Sequence, residues 1–228
     1  MSNSTAQPAA DDPRRKIPPC PAHAPQVVPG GFLQRTGKLL VGMSSWRISG
    51  ELPDVPKLVM LAAPHSSNWD GIYGILGACA IGLKANWMGK ASLFTKPILG
   101  RLMRTFGGIP VDRSNPAGAV GQMAEEFAKR ERMWLVAAPE GTRRKVPKWR
   151  TGWWHIARAA NVPLFLVYFH YPEKRVGCGE LFWTTDNMEA DLERLYAWYA
   201  PWRGKDGKNG LPQGREPSEF LPPEDAAG

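Results

Sequence analysis

Three short runs, "KLVMLAA" (57–63), "MWLVAAP" (133–139) and "VPLFLVYFH" (162–170), are apolar almost without a break. A strand with one wet face alternates, whereas a run with no polar face needs cover on both sides. Segments of helical period stand between these runs, among them "KPILGRLMRTFG", "AGAVGQMAEEFAKRER" and "TGWWHIARAAN", the last closed by Asn161. This alternation predicts an α/β fold, a mixed and largely parallel sheet flanked by helices. Further strands are expected over "SSWRISGEL", "KANWMGK" and "GIPVDR", with "ELFWTT" as an edge. Further helices are expected over "NMEADLERLYAWYA" and over "DGIYGILGACAIGL", which is apolar nearly all round and reads as buried.

The folded domain is expected over residues 30–202. Residues 1–29 and 203–228 are rich in Pro, Gly and Ala without a period, and both read as disordered. The chain is basic, with a net charge of +8, which favours anionic partners such as a membrane surface or phosphorylated metabolites. No nucleic-acid motif accompanies that charge. Cys20, Cys79 and Cys178 are odd in number and widely spaced, which predicts a reduced, cytoplasmic protein with neither a disulfide framework nor a zinc site. No apolar stretch approaches the roughly 20 residues that span a bilayer, so any work on lipid is expected from the surface. The segment "GGFLQRTGKLLVGMS" (30–44) mixes Phe32, Leu33, Leu39, Leu40 and Met43 with Arg35 and Lys38. It fits a basic amphipathic helix on an anionic bilayer, or a helix packed across the domain, and the two are compatible.

The chemistry gathers where predicted strands end. In "LVMLAAPHSSNWDG" the second strand runs into His65, with Asp70 five residues on at the start of a helix. Ligands of α/β sheets bind at the carboxyl ends of strands. There a carboxylate on one imidazole nitrogen leaves the other as a general base. The plainer alternative is a loop histidine beside a helix cap. Lys90 stands at the end of the strand "KANWMGK", Arg113 closes "GGIPVDR", and "APEGTRRK" places Glu140, Gly141, Thr142 and Arg143 after another strand. Backbone amides near a glycine with guanidinium groups close by can cradle phosphate, although single Lys and Arg residues are usually solvated surface charges. The chain has no G-x-S-x-G elbow, no Cys beside a His in sequence, and no second His at a metal spacing from His65. A base acting on an external hydroxyl is the better fit.

Taken in order, "HSSNWD", "GGIPVDR" and "PEGTR" resemble the first three blocks of the glycerophospholipid acyltransferase family, with "VPLFLV" as a fourth, over roughly residues 45–170. The resemblance implies transfer of a fatty acyl group from acyl-CoA or acyl-carrier protein to the free hydroxyl of a lysophospholipid such as 1-acyl-sn-glycerol-3-phosphate. It makes His65 the base and Asp70 its orienting partner. Lys90, Arg113 and Arg143 would contact the acceptor's phosphate, and Glu140, Gly141 and Thr142 would shape its site. No metal or cofactor is implied beyond the acyl thioester co-substrate. The expected location is peripheral, on the cytoplasmic face of the membrane. In the fourth block, where a second proline is usual, this chain has Leu166. Alternatives beside that reading are a CoA-independent transacylase, an acyltransferase on another lyso-lipid, and a non-catalytic protein that binds anionic lipid. Trp149, Trp153 and Trp154 could line an acyl channel, sit at a membrane interface, or pack the core. His155 and His170 read as structural.

Overall fold

The computed structural model describes residues 17–27, 30–112 and 114–221. Strands β1 (Arg47–Ser49), β2 (Lys57–Ala63), β3 (Ala85–Lys90), β4 (Gly108–Val111), β5 (Met133–Ala137), β6 (Leu164–His170) and β7 (Arg175–Phe182) form one sheet. Its order is β1-β7-β6-β2-β5-β3-β4. β6 and β7 run antiparallel, and the other neighbours are parallel. The helices are α1 (Phe32–Met43), α2 (Asn68–Ile81), α3 (Pro97–Thr105), α4 (Pro116–Lys129), α5 (Gly152–Ala160) and α6 (Met188–Tyr199). The architecture is the mixed, mostly parallel α/β sheet that the alternation of runs predicts.

The unbroken apolar strands are the central ones, and the period of two explains why. Val59, Leu61 and Ala63 of β2 enter a core with Leu135, Leu164 and Leu166, covered by Phe127 of α4, Ile156 of α5 and Leu195 of α6. Leu58, Met60 and Ala62 face the other way, into a core with Trp134, Phe165, Val167 and Ile81 at the end of α2. Trp149, Trp153 and Trp154 all lie in the first core, so packing is their role. Asn161 ends α5 in the left-handed conformation, with φ of 51°.

Close approach requires glycine at Gly107 and at Gly37, among other positions. At Gly107, between α3 and β4, φ is +78° and a Cβ would stand 2.0 Å from the Ala85 carbonyl oxygen. At Gly37 a Cβ would stand 2.6 Å from the Ala80 nitrogen, so the missing side chain is what seats α1 on α2. Gln34 donates to the Ile81 carbonyl at 3.1 Å. At the other end of α1, Ser44 lines a small cavity with Tyr73 and Gly77, so the two helices run antiparallel.

Four expectations are corrected. α2 is not wholly buried: Trp69, Ile72 and Ile75 are 47%, 43% and 47% exposed, because the sheet covers only one side of the helix. The "ELFWTT" strand is not an edge. It belongs to the longer β7, which lies between β1 and β6, and β1 is the edge. Residues 203–221 are not disordered. Leu211 is buried, and Gly210 accepts from the Trp149 indole at 2.8 Å. Arg215 holds Glu193 of α6 through two nitrogens, at 2.7 and 2.5 Å. Residues 17–27 are likewise folded on the domain, with Ala24 fully buried and Ala22 accepting from Arg132 at 2.7 Å. Such segments are held by single anchors rather than by a periodic face, so periodicity does not reveal them. Residues 1–16, 28, 29 and 222–228 lie outside the described residues.

Candidate active site

β2, β3, β4, β5 and β6 are mutually parallel, so their carboxyl ends share one edge of the sheet. His65 follows β2 by two residues, Lys90 ends β3, Glu140 follows β5 by three, and Tyr171 follows β6 directly. Residues far apart in sequence are thereby delivered to one place.

The His65 loop is built around a helix start. Ser67 caps α2, accepting from the Trp69 amide at 3.2 Å, while Asp70 reaches back to accept from the Ser67 amide at 2.7 Å. That reciprocal cap fixes the Asp70 carboxylate, which is fully buried. Its Oδ2 lies 3.3 Å from His65 Nδ1. Tyr171 donates its hydroxyl to the other oxygen, Oδ1. A buried carboxylate without partners is strongly unfavourable, and here it has an amide, a phenol and an imidazole. Burial and the bond to Asp70 push the Tyr171 phenol above its ordinary range, so it remains a donor. Trp46 packs edge-on against Tyr171 and stacks on Tyr73, which closes the back of the site. The His65 side chain is about one quarter exposed, and the contact at Nδ1 leaves Nε2 as the nitrogen available for proton transfer.

Glu140 is a structural support of the same loop. Its Oε1 accepts from the His65 backbone amide at 2.8 Å, and the side chain is buried. Burial, partly offset by that amide, raises its carboxyl from 4.5 to about 7. Gly141 turns the chain with φ of +62°. Its amide donates to the Ala138 carbonyl at 3.1 Å, and Thr142 and Arg143 follow on an exposed loop.

The structure thus brings His65, Asp70 and Glu140 into direct contact. Lys90 is exposed at the same edge, in register with Val111 of β4, and the 141–143 loop is exposed beyond β5. Among the described residues, no hydrogen bond or ion pair joins these to His65. Arg113 lies outside the described residues. Tyr171 belongs to none of the sequence motifs. The available signal was its place one residue past a fully apolar strand, the same position relative to the sheet as the loops already singled out. Of the two histidines read as structural, His170 accepts from the Arg203 amide at 3.2 Å, and His155 packs edge-on against Trp154. No cluster of three or more metal-ligating side chains occurs among the described residues.

Residues 50–170, more than half of the chain, match the family model described as Acyltransferase. The chain is 30% identical over 115 residues to a 1-acyl-sn-glycerol-3-phosphate acyltransferase of Streptococcus pneumoniae, covering 46% of this chain and 42% of that one. It is 33% identical over 99 residues to the Escherichia coli protein of the same name, covering 41% and 40%. The alignments therefore span less than half the length of these curated relatives. The crystal structure of the 1-acyl-sn-glycerophosphate (LPA) acyltransferase PlsC from Thermotoga maritima superposes with a TM-score of 0.53 over 72% of this chain and 74% of that one. At 16% identity that likeness is one of fold. The matched residues contain the His65 loop, Asp70 and the Glu140 loop, and with them the chain belongs to the acyltransferase family.

Proposed function

We propose that the protein transfers a fatty acyl group from an acyl thioester to the free hydroxyl of a lysophospholipid, with 1-acyl-sn-glycerol-3-phosphate as the acceptor to test first. The observation that carries this reading is an imidazole held by a buried, fully partnered carboxylate where five parallel strands end. His65 Nε2 takes the proton of the acceptor hydroxyl as its oxygen attacks the thioester carbonyl. Asp70 stabilises the imidazolium that results. Collapse of the tetrahedral intermediate breaks the carbon–sulfur bond, and the imidazolium returns the proton to the leaving thiolate. Lys90, Arg113 and Arg143 supply positive charge for the acceptor's phosphate, and Gly141 and Thr142 shape the loop beside it. Thiol release from a long-chain acyl-CoA should depend on added lysophosphatidic acid. Release that ignores every lyso-lipid acceptor, with acyl-carrier protein as donor as well, would defeat the assignment.

The work is done at an anionic membrane surface. No helix among the described residues is long and apolar enough to cross a membrane. Phe32, Leu39 and Met43 on α1 are 82%, 62% and 76% exposed. Arg35 and Lys38 are exposed on the same helix. Apolar side chains that insert among acyl chains, next to cations that meet acidic headgroups, suit such a surface. Serine at all three apolar positions is expected to weaken sedimentation with phosphatidylglycerol vesicles by at least about 10-fold, since burying each apolar side chain is worth about 1.5–3 kcal/mol. Glutamine at Arg35 and Lys38 should remove much of the salt dependence. Unchanged sedimentation of both variants would rule out α1 as the contact.

A further inference from the structure

We propose that residues 203–211 are a working part of the active site, a strap that holds the His65 loop and Tyr171 in register and so positions the base without touching substrate. The proposal rests on the acyl-transfer reading for its kinetic consequence, but its structural basis is independent. The strap meets the site at three places. On the His65 loop, the Lys205 amide donates to Ser66 Oγ at 2.8 Å. Gly204 lies so close that a Cβ would stand 2.4 Å from that same oxygen, and Lys205 Nζ lies 5.7 Å from the centre of the Trp69 ring. On the Tyr171 side, the Arg203 carbonyl accepts from the Tyr171 amide at 3.0 Å, and the Arg203 amide donates to His170 Nδ1 at 3.2 Å. Beneath the loop, Gly210 rests on Pro64 and Glu140. A Cβ there would stand 2.9 Å from Pro64 Cα and 2.8 Å from Glu140 Oε1, the oxygen that binds the His65 amide.

The strap is itself ordered. Its turn is closed by the Gly204 amide on the Lys208 carbonyl at 2.8 Å and by the Gly207 amide on the Gly204 carbonyl at 3.0 Å. Its far end is fixed by the Trp149 indole on Gly210 and by the burial of Leu211. The family match ends at residue 170, so none of these contacts is implied by the matched motifs. Loops are the least stable parts of a fold, and a catalytic group carried on one needs support from outside it. Misplacing a reacting group by about 1 Å can lower the rate by about 10²-fold. The Ser66 and Lys205 pair therefore ties the neighbour of the base to a segment 139 residues away.

Three variants of the full chain test this. Ser66→Ala removes the oxygen that accepts the Lys205 amide, Ser66→Thr keeps one, and Gly210→Ala forces the strap away from Pro64 and Glu140. With acyl thioester and lyso-acceptor, Ser66→Ala and Gly210→Ala are expected to lower kcat by about 10-fold to 10²-fold. Both KM values should stay within about twofold, and Ser66→Thr should restore kcat to within about threefold. Hydrogen exchange across residues 64–71, read without substrate, should speed up in the first two variants and match wild type in the third. Unchanged exchange and unchanged kcat would overturn the proposal. So would a raised acceptor KM with kcat intact, which would make Ser66 a direct substrate contact. An inactive wild type would count against the acyl-transfer reading and leave exchange to decide the strap. If Gly210→Ala does not fold, the serine pair carries the test.

Discussion

Replacement of His65 by alanine is expected to lower kcat for acyl transfer by about 10²–10⁴-fold, the usual contribution of a positioned general base. The fold should survive. The imidazole is partly exposed, so little packing is lost, and Asp70 keeps the Ser67 amide and the Tyr171 hydroxyl as partners. The Glu140 bond is made by the backbone amide of residue 65 and is also retained. Vesicle sedimentation should match wild type because α1 is untouched. A non-catalytic lipid-binding protein predicts the contrary, a variant without functional defect. Thiol release measured beside sedimentation and circular dichroism separates these outcomes. Turnover within about threefold of wild type would remove His65 from the mechanism.

Glu140 carries the second large effect, on stability. In the folded protein its carboxyl titrates at about 7 instead of 4.5, because burial disfavours the carboxylate more than the His65 amide favours it. The native state therefore binds the proton more tightly than the unfolded chain does. This contribution is fully present below about pH 4.5 and is lost as pH rises through about 7. At about 1.4 kcal/mol per pH unit, the loss amounts to about 3 kcal/mol. Glu140→Gln keeps an oxygen that can accept the His65 amide and has no proton to lose. Denaturant titrations of the two proteins should give nearly parallel stabilities below about pH 4.5. Between that pH and about 7, the variant should gain about 3 kcal/mol on wild type. A difference that does not change across this window would mean that Glu140 is ionised throughout.

What could be read in advance follows from how far apart the interacting residues lie. The strands of the central sheet and the helices between them were legible because each is a local pattern. His65 and Asp70 were legible for the same reason, being joined within one helix start. The start of β7 is not legible because "RVGC" gives little apolar pattern, and its place beside β1 depends on pairing with distant residues. The exposed face of α2 is not legible because an apolar helix with a bare face and a wholly covered one have the same composition. Tyr171 meets Asp70 across 101 residues, and no spacing rule connects them. The strap is the extreme case. Its glycines and lysines look like a linker, yet Gly204 and Gly210 are small because the site leaves them no room.

The sheet order also has a consequence for how the molecule is made. β2 is synthesised early but pairs with β5, whose residues begin at Met133, and with β6, whose residues begin at Leu164. Both strand partners of β2, which leads into the His65 loop, are thus non-local, which slows folding. Until β6 emerges from the ribosome, Leu58–Ala63 presents an apolar strand with an unpaired edge, the kind of surface that seeds aggregation. A chaperone that shields apolar strands during synthesis would have this segment to cover until β6 is made.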